Sequence, residues 1–272
     1  MTEAPNRSPQ TARRGRAYFE RLSQTTFLPT EHVGGAWVEA EQHIAPAIGL
    51  VAHAVERDHA ARRNHSLQLA RLSCDILGTL PLEPFDLTVS VIRPGRTIEL
   101  VEARLSHAGR PAVIARAWLT QEYTTTGIAA SPLPRIQPPS ALPHWNPTEV
   151  WPGGFIRALE VRRTEQEPGR AQFWLRSDVS LVAGEEVSAT ANALRLLDAA
   201  NGMTVRQPID EVAFPNVDLT VHLFRAPIVG WTGFDTAVSF GPTGLGLTTS
   251  VLHDELGPFG QLTQCLTVRP QG

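Results

Sequence analysis

The sequence predicts an α+β protein built from two similar units, each one long buried helix followed by antiparallel strands. Three features predict it: an internal echo, a helix apolar on nearly every face, and a proline-rich stretch between the halves. The echo joins Val91-Ile92-Arg93-Pro94-Gly95-Arg96-Thr97-Ile98-Glu99-Leu100 to Val238-Ser239-Phe240-Gly241-Pro242-Thr243-Gly244-Leu245-Gly246-Leu247, and is read at a spacing of 148 residues. Each copy reads strand, tight turn, strand, turn, strand, with Pro or Gly supplying the special φ values and apolar residues alternating between turns. Duplicated units diverge. Polar residues present in one copy and absent from the other are therefore candidates for chemistry.

Residues 1–14 are polar and read as a disordered lead. Phe27 to Trp37 reads as a strand and a Gly-Gly turn. The stretch from Ile44 to Val55 has its largest residues, Ile44, Ile48, Val51 and Val55, at helical spacing, and Pro46 suits a first turn where its missing N–H costs nothing. A helix over 44–58 that is apolar all round must be wrapped. The strands from Ser66 to Glu122 supply the wrapping. One of them changes parity after Leu100, which predicts a bulge or a strand buried on both faces. Seven prolines between 131 and 152 mark a linker, set at 126–152, that separates a unit at 15–125 from a unit at 153–272. A second helix is expected over 185–201, with acids at its start and Gly202 past its end. Strands then run to Arg269, and the two sheets are expected to be continuous.

At 42% hydrophobic and 19% charged residues, the chain can bury a core. A net charge of −3 argues against nucleic acid and membrane surfaces as partners. All 24 basic residues are Arg, which genome base composition explains. Cys74 and Cys265 cannot make a disulfide framework, no Cys–His spacing suits a metal, and both read as inert packing. No signal peptide and no run of about 20 apolar residues is visible, so a soluble cytoplasmic protein is expected. There is no G-x-S-x-G elbow, P-loop or dinucleotide fingerprint. A serine hydrolase, kinase or nicotinamide enzyme is disfavoured.

At a spacing of 148, Asp218 falls opposite Ala70, Ser239 opposite Val91 and Gln264 opposite Arg116. A carboxylate, a hydroxyl and an amide in one copy alone can hold and polarise a water beside an electrophilic carbonyl. The plainer reading has Asp218 capping a turn, Ser239 ending a strand and Gln264 facing solvent. Glu41-Gln42-His43 precedes the first helix, where His43 could transfer protons or merely hydrogen-bond at the entrance. The N–H groups near 42–45 could meet an oxyanion. His53, inside the apolar helix, reads as a satisfied core residue.

Arg71-Leu72-Ser73-Cys74-Asp75-Ile76-Leu77-Gly78, with Arg93-Pro94-Gly95-Arg96-Thr97-Ile98-Glu99-Leu100-Val101-Glu102-Ala103, resembles the thioesterase-like superfamily of double hot-dog proteins. Trp231-Thr232-Gly233-Phe234-Asp235 and Gly244-Leu245-Gly246-Leu247-Thr248 extend the resemblance into the second half. It implies two tandem hot-dog units, each a long helix wrapped by a curved antiparallel sheet. The acyl-CoA thioesterase II enzymes of this superfamily use an Asp, a Thr or Ser, and a Gln, all in the C-terminal unit. The resemblance carries these roles onto Asp218, Ser239 and Gln264, with His43, Ile44 and Ala45 binding substrate. Many relatives have His-Gly-Gly where this chain has His43-Ile44-Ala45, and the lost glycines restrict close approach to the backbone.

The leading expectation is therefore hydrolysis of acyl-CoA, with no cofactor or metal and with a homodimer as the assembly. Two other classes stay open at this point. One is an enoyl-thioester hydratase or dehydratase working through His43 and Glu41. The other is an acyl-thioester binding protein without turnover.

Overall fold

The computed structural model describes residues 16–35 and 37–271, so the expected lead at 1–14 lies outside the described residues. The first half comprises β1 (Ala17–Arg21), β2 (Thr26–Pro29), α1 (Ile44–Arg62), β3 (Leu67–Ile76), β4 (Phe85–Arg93), β5 (Ile98–His107) and β6 (Arg110–Gln121). The remainder comprises β7 (His144–Trp145), the helical turn α2 (Gly154–Arg157), β8 (Glu160–Glu167), β9 (Arg170–Arg176), β10 (Ser180–Val182) and α3 (Ala189–Leu194). It continues with β11 (Val212–Ala213), β12 (Asp218–Leu223), β13 (Thr232–Phe240), β14 (Leu245–Asp254), β15 (Gly257–Thr267) and β16 (Arg269–Pro270). Fourteen strands form one sheet in the order β10-β1-β2-β4-β5-β6-β3-β12-β15-β14-β13-β9-β8-β7. Only β1–β10 among these pairs is parallel.

β4, β5 and β6 begin at Phe85, Ile98 and Arg110; β13, β14 and β15 begin at Thr232, Leu245 and Gly257, each 147 residues later. The strand order β4-β5-β6-β3 is mirrored as β13-β14-β15-β12, and β3 and β12 pair antiparallel at the centre. The sheet is continuous through that pair. The spacing is 147, one less than the sequence reading. The difference matters, because a slip of one residue turns every strand side chain to the other face.

α1 lies under the first half of the sheet. His43 caps it by accepting from the Ala45 N–H at 3.2 Å. Ala47, Ile48, Leu50, Val51, Ala52 and Val55 are all buried, as a helix apolar on every side requires. It runs to Arg62, one turn beyond the expected end. His53 is buried and bonded to Glu185 at 2.9 Å. The second helix is much shorter than expected. Glu185 and Glu186 precede it, Ser188 caps it by accepting from Ala191 N–H, and α3 ends at Leu194. A single 3₁₀ turn follows at Leu197–Ala199. α3 crosses α1 so closely that a Cβ on Gly49 would sit 2.4 Å from the Arg195 Cβ.

The proline-rich stretch between the halves is more than a tether. His144 and Trp145 pair with β8 at the sheet edge, and Trp151 is buried. His253 bonds the Pro134 carbonyl at 3.0 Å and Trp174 donates to the Gln137 carbonyl at 2.8 Å. The irregularity expected within the fifth strand lies instead in its neighbours: β5 alternates regularly, with Glu99, Val101, Ala103 and Leu105 buried, while register shifts leave Ile92 of β4 and Ala112 of β6 as the extra residues. No described helix is long and apolar enough to cross a membrane.

Candidate active site

Sheet parity decides which polar residues reach the interior. In β15 Leu262, Gln264 and Leu266 are buried while Thr263 and Cys265 are exposed. In β12 Leu219 and Val221 are buried, so Asp218 points to the opposite face. In β13 Val238 is buried and Ser239 is exposed. Asp218, Ser239 and Gln264 therefore do not converge. The Asp218 carboxylate accepts the Cys265 N–H at 2.5 Å, and Ser239 stands in the same outward row beside Leu247 and Cys265. At the observed spacing Ser239 matches exposed Ile92, and Gln264 matches buried Ala117. Cys265, expected in the core, is exposed, whereas Cys74 is buried.

Gln264 does meet a carboxylate, that of Asp198. The Gln264 Nε2 donates to Asp198 Oδ1 at 3.0 Å, and Asn216 Nδ2 donates to the same oxygen at 2.7 Å. Asn216 is itself held, since its Nδ2 also donates to the Asp218 carbonyl at 3.0 Å. Asp198 sits in the 3₁₀ turn after α3, and its flanking apolar residues Leu196, Leu197, Ala199 and Ala200 are all buried. Those neighbours draw the carboxylate inside. Burial pushes its pKa up to about 7, and the two amide donors pull against that rise. Sequence reasoning missed Asp198 and Asn216. The available signal was a lone acid flanked by apolar residues, Leu196-Leu197 before it and Ala199-Ala200 after it, since buried acids are rare unless they have work or partners.

His43 reaches the same centre from the N-terminus of α1. Its Nδ1 stands 3.7 Å from Asp198 Oδ2, and its ring packs on Phe155 with centroids 4.2 Å apart. Burial lowers its pKa to about 3, so it is neutral near pH 7. Nδ1 already accepts the Ala45 N–H, so its lone pair is directed to the helix entrance. The amides of Gln42 and His43 are likewise taken, by the carbonyls of Leu80 and Val33, both at 2.7 Å. The expectation that N–H groups across 42–45 meet an oxyanion is thereby reduced to the helix end itself at Ile44. Glu41, the acid expected to work with His43, instead accepts from Thr79 at 3.0 Å.

A cavity of about 310 Å³ opens onto this centre. Asp198, Asn216, His43 and Ile44 line it, whereas fully buried Ala45 does not. Its walls are largely aromatic and aliphatic: Trp37, Trp151, Phe214, Met203 and Leu80. Trp37, Trp151 and Phe214 meet edge-on, with centroids 4.9 to 6.1 Å apart. Arg269 also borders the cavity, from exposed β16. Among the described residues no cluster of His, Cys, Asp or Glu could hold a metal ion.

Residues 34–120 match the acyl-CoA thioesterase N-terminal domain, and residues 135–268 match the acyl-CoA thioesterase C-terminal domain. The chain belongs to the acyl-CoA thioesterase family. It is a thioester hydrolase, as that membership states, and acyl-CoA is the substrate the family implies. Solved structures share its hot-dog fold. A hot-dog protein from Alicyclobacillus acidocaldarius aligns with a TM-score of 0.73 at 13% identity, over 93% of this chain and 96% of that one. The tesB protein of Mycobacterium avium subspecies paratuberculosis aligns at 0.67 and 17% identity, over 93% and 96%. An acyl-CoA thioesterase II from Mycobacterium marinum aligns at 0.63 and 14%, over 93% and 96%. No curated protein sequence matches the chain.

Proposed function

We propose that this thioesterase hydrolyses acyl-CoA with a water activated by Asp198. The observation that carries this reading is a buried carboxylate at the cavity wall, its pKa raised to about 7, held by two amide donors. A general base is most effective when its pKa lies near the working pH. Ionised Asp198 takes a proton from the water as its oxygen bonds to the thioester carbonyl carbon. The carbonyl oxygen becomes an oxyanion, met by the positive end of α1 at Ile44. Collapse of the tetrahedral intermediate breaks the carbon–sulfur bond, and Asp198 returns its proton to the leaving thiolate. Gln264 and Asn216 fix the carboxylate, so that Asn216 takes the part the resemblance gives to a hydroxyl. His43, neutral and hydrogen-bonded at the helix entrance, shapes the site.

The proton-transfer role that a hydratase needs from His43 is disfavoured, because a ring with a pKa of about 3 is a weak base. We read the chain as a tandem double hot-dog, a reading supported by the 147-residue spacing of its strands. Pairing into a homodimer is part of the same proposal, with exposed Leu245 and Leu247 on β14 as apolar surface available for it. The test is thiol release from a panel of acyl-CoA thioesters by the wild type and by Asp198→Asn, with light scattering for the assembly. Equal rates in the two proteins would overturn the assignment of Asp198, and a monomeric mass would remove the dimer.

A further inference from the structure

Two amides hold Asp198, yet only one of them is visibly anchored. Asn216 spends its second N–H on the Asp218 carbonyl, which fixes which end of the amide faces the acid. Gln264 is buried completely, and its Oε1 has no hydrogen-bond partner among the described residues. An amide so placed can rotate by half a turn and present oxygen to a carboxylate, unless a donor holds the oxygen end. A donor stands on the adjacent strand. Thr248 lies directly across the β14–β15 ladder from Gln264 and faces the same interior. It too is fully buried, and its Oγ1 also lacks a partner.

The neighbours of Thr248 narrow the choice. On its other flank the ladder places apolar Val238. The next interior hydroxyl of β14, Ser250, is already paired with Thr236 at 2.7 Å. Directly opposed residues on adjacent strands have Cβ atoms about 5 Å apart, within reach of a hydroxyl and a glutamine side chain. A buried hydroxyl and a buried amide oxygen, both unpaired and carried by opposed residues on the same face of adjacent strands, are complementary as donor and acceptor.

Resting on the proposed role of Gln264, we infer that Thr248 is a positioning residue for the reaction: rotated about its Cα–Cβ bond toward the adjacent strand, its hydroxyl donates to Gln264 Oε1 and keeps Nε2 turned to Asp198. Its loss frees the amide to rotate, removes a donor from the ionised acid and raises the pH at which that acid ionises.

The experiment compares Thr248→Val, Thr248→Ser and Gln264→Ala by kcat/KM on one acyl-CoA across pH 5 to 9, with circular dichroism as the check on folding. Thr248→Val should lose about tenfold at pH 7, the scale of one hydrogen bond. The midpoint of its ascending pH limb should move upward. Thr248→Ser should restore rate and midpoint to within about threefold and a few tenths of a pH unit, since it restores the donor. If Thr248→Val is impaired but Thr248→Ser does not recover, or the midpoint stays put, Thr248 merely packs and the inference fails. It fails equally if Thr248→Val matches wild type while Gln264→Ala is impaired. Full activity in Gln264→Ala would instead remove the reading on which it rests. Should Thr248→Val not fold, Thr248→Ala takes its place in the same comparison.

Discussion

Ser73 and Thr220 meet hydroxyl to hydroxyl at 3.0 Å across the central strand pair, 147 residues apart. They are the same position in the two halves. Arg71 opposes His222 and Asp75 opposes Asp218 on either side of them, so the approximate two-fold axis of the repeat passes between the two hydroxyls. Away from that axis the halves part company. Ala117 in β6 is a buried methyl where β15 has Gln264. The polar centre is confined to one half, and the N-terminus of α1 in the other half supplies its roof.

Asp198→Asn should abolish most turnover and stabilise the fold. Removing a general base costs about 10² to 10⁴ in kcat. The native carboxyl holds its proton up to about pH 7, whereas an unfolded one releases it near 3.8. The folded state therefore binds more protons across that window, and stability falls as pH rises through it. Three units correspond to roughly 4 kcal/mol that the wild type forfeits above pH 7 and the amide does not. His43 contributes with the opposite sign, its stabilising neutrality being lost as pH falls below 6.5 toward 3, but it does so in both proteins. The difference in Tm between variant and wild type should widen from pH 4 to 7. A constant difference would show that Asp198 titrates normally.

The pH profile follows from the same group. kcat/KM should rise about tenfold per unit toward a midpoint near 7 and then level, as Asp198 ionises. His43 is neutral throughout and adds no limb near 6.5. A bell centred on 6.5 would restore a proton-transfer role to His43.

Asp218→Asn and Ser239→Ala should leave kcat within about twofold, because surface substitutions away from a site are close to neutral. This outcome separates the observed geometry from the arrangement read in the sequence. The repeat, the first helix, the continuous sheet and the polar nature of Gln264 were all legible in composition and spacing. The site was not, for a definite reason. A spacing of 148 pairs Gln264 with exposed Arg116, and one of 147 pairs it with buried Ala117. One residue inverts the facing of every candidate. Asp198 was hidden differently: it lies in a broken helix that reads as continuous, and only the packing of α3 against α1 shows that the acid turns inward.

Asn216→Ala should lower kcat and move the pH midpoint upward, since ionised Asp198 would keep a single amide donor. Asn216→Thr, with a hydroxyl in place of the amide, should recover part of the loss. The two profiles measured side by side decide it. An unchanged midpoint in Asn216→Ala would mean that Asn216 serves the turn alone.

Gly49→Ala should weaken the protein at the crossing of the two helices. The added carbon would stand 2.4 Å from the Arg195 Cβ and 2.9 Å from the Ala191 carbonyl oxygen, so backbone must move. Overpacking of this kind costs about 1 to 3 kcal/mol. Arg195 precedes Asp198 by three residues in the same broken helix, and its guanidinium binds the carbonyls of Ser177 and Val179. The shift should therefore reach the acid, and kcat should fall together with Tm. A lowered Tm with intact kcat would show that the 3₁₀ turn isolates Asp198 from the crossing.

The acyl group should be compact. The cavity of about 310 Å³ must hold the reacting carbonyl and its acyl chain, and an enclosed space of about 150 Å³ accommodates one benzene. Phe214 is fully buried, and Trp151 is fixed by donating its Nε1–H to the Gly202 carbonyl at 2.7 Å. A long fatty chain would have to pass or displace both. Turnover should accordingly be higher for short, branched or aryl acyl-CoA than for palmitoyl-CoA. Trp151→Ala and Phe214→Ala should narrow or reverse that preference, at a stability cost of about 3 to 5 kcal/mol. The measurement is kcat/KM across acyl lengths for all three proteins. A wild type that prefers palmitoyl-CoA would mean that the chain leaves this cavity by another route.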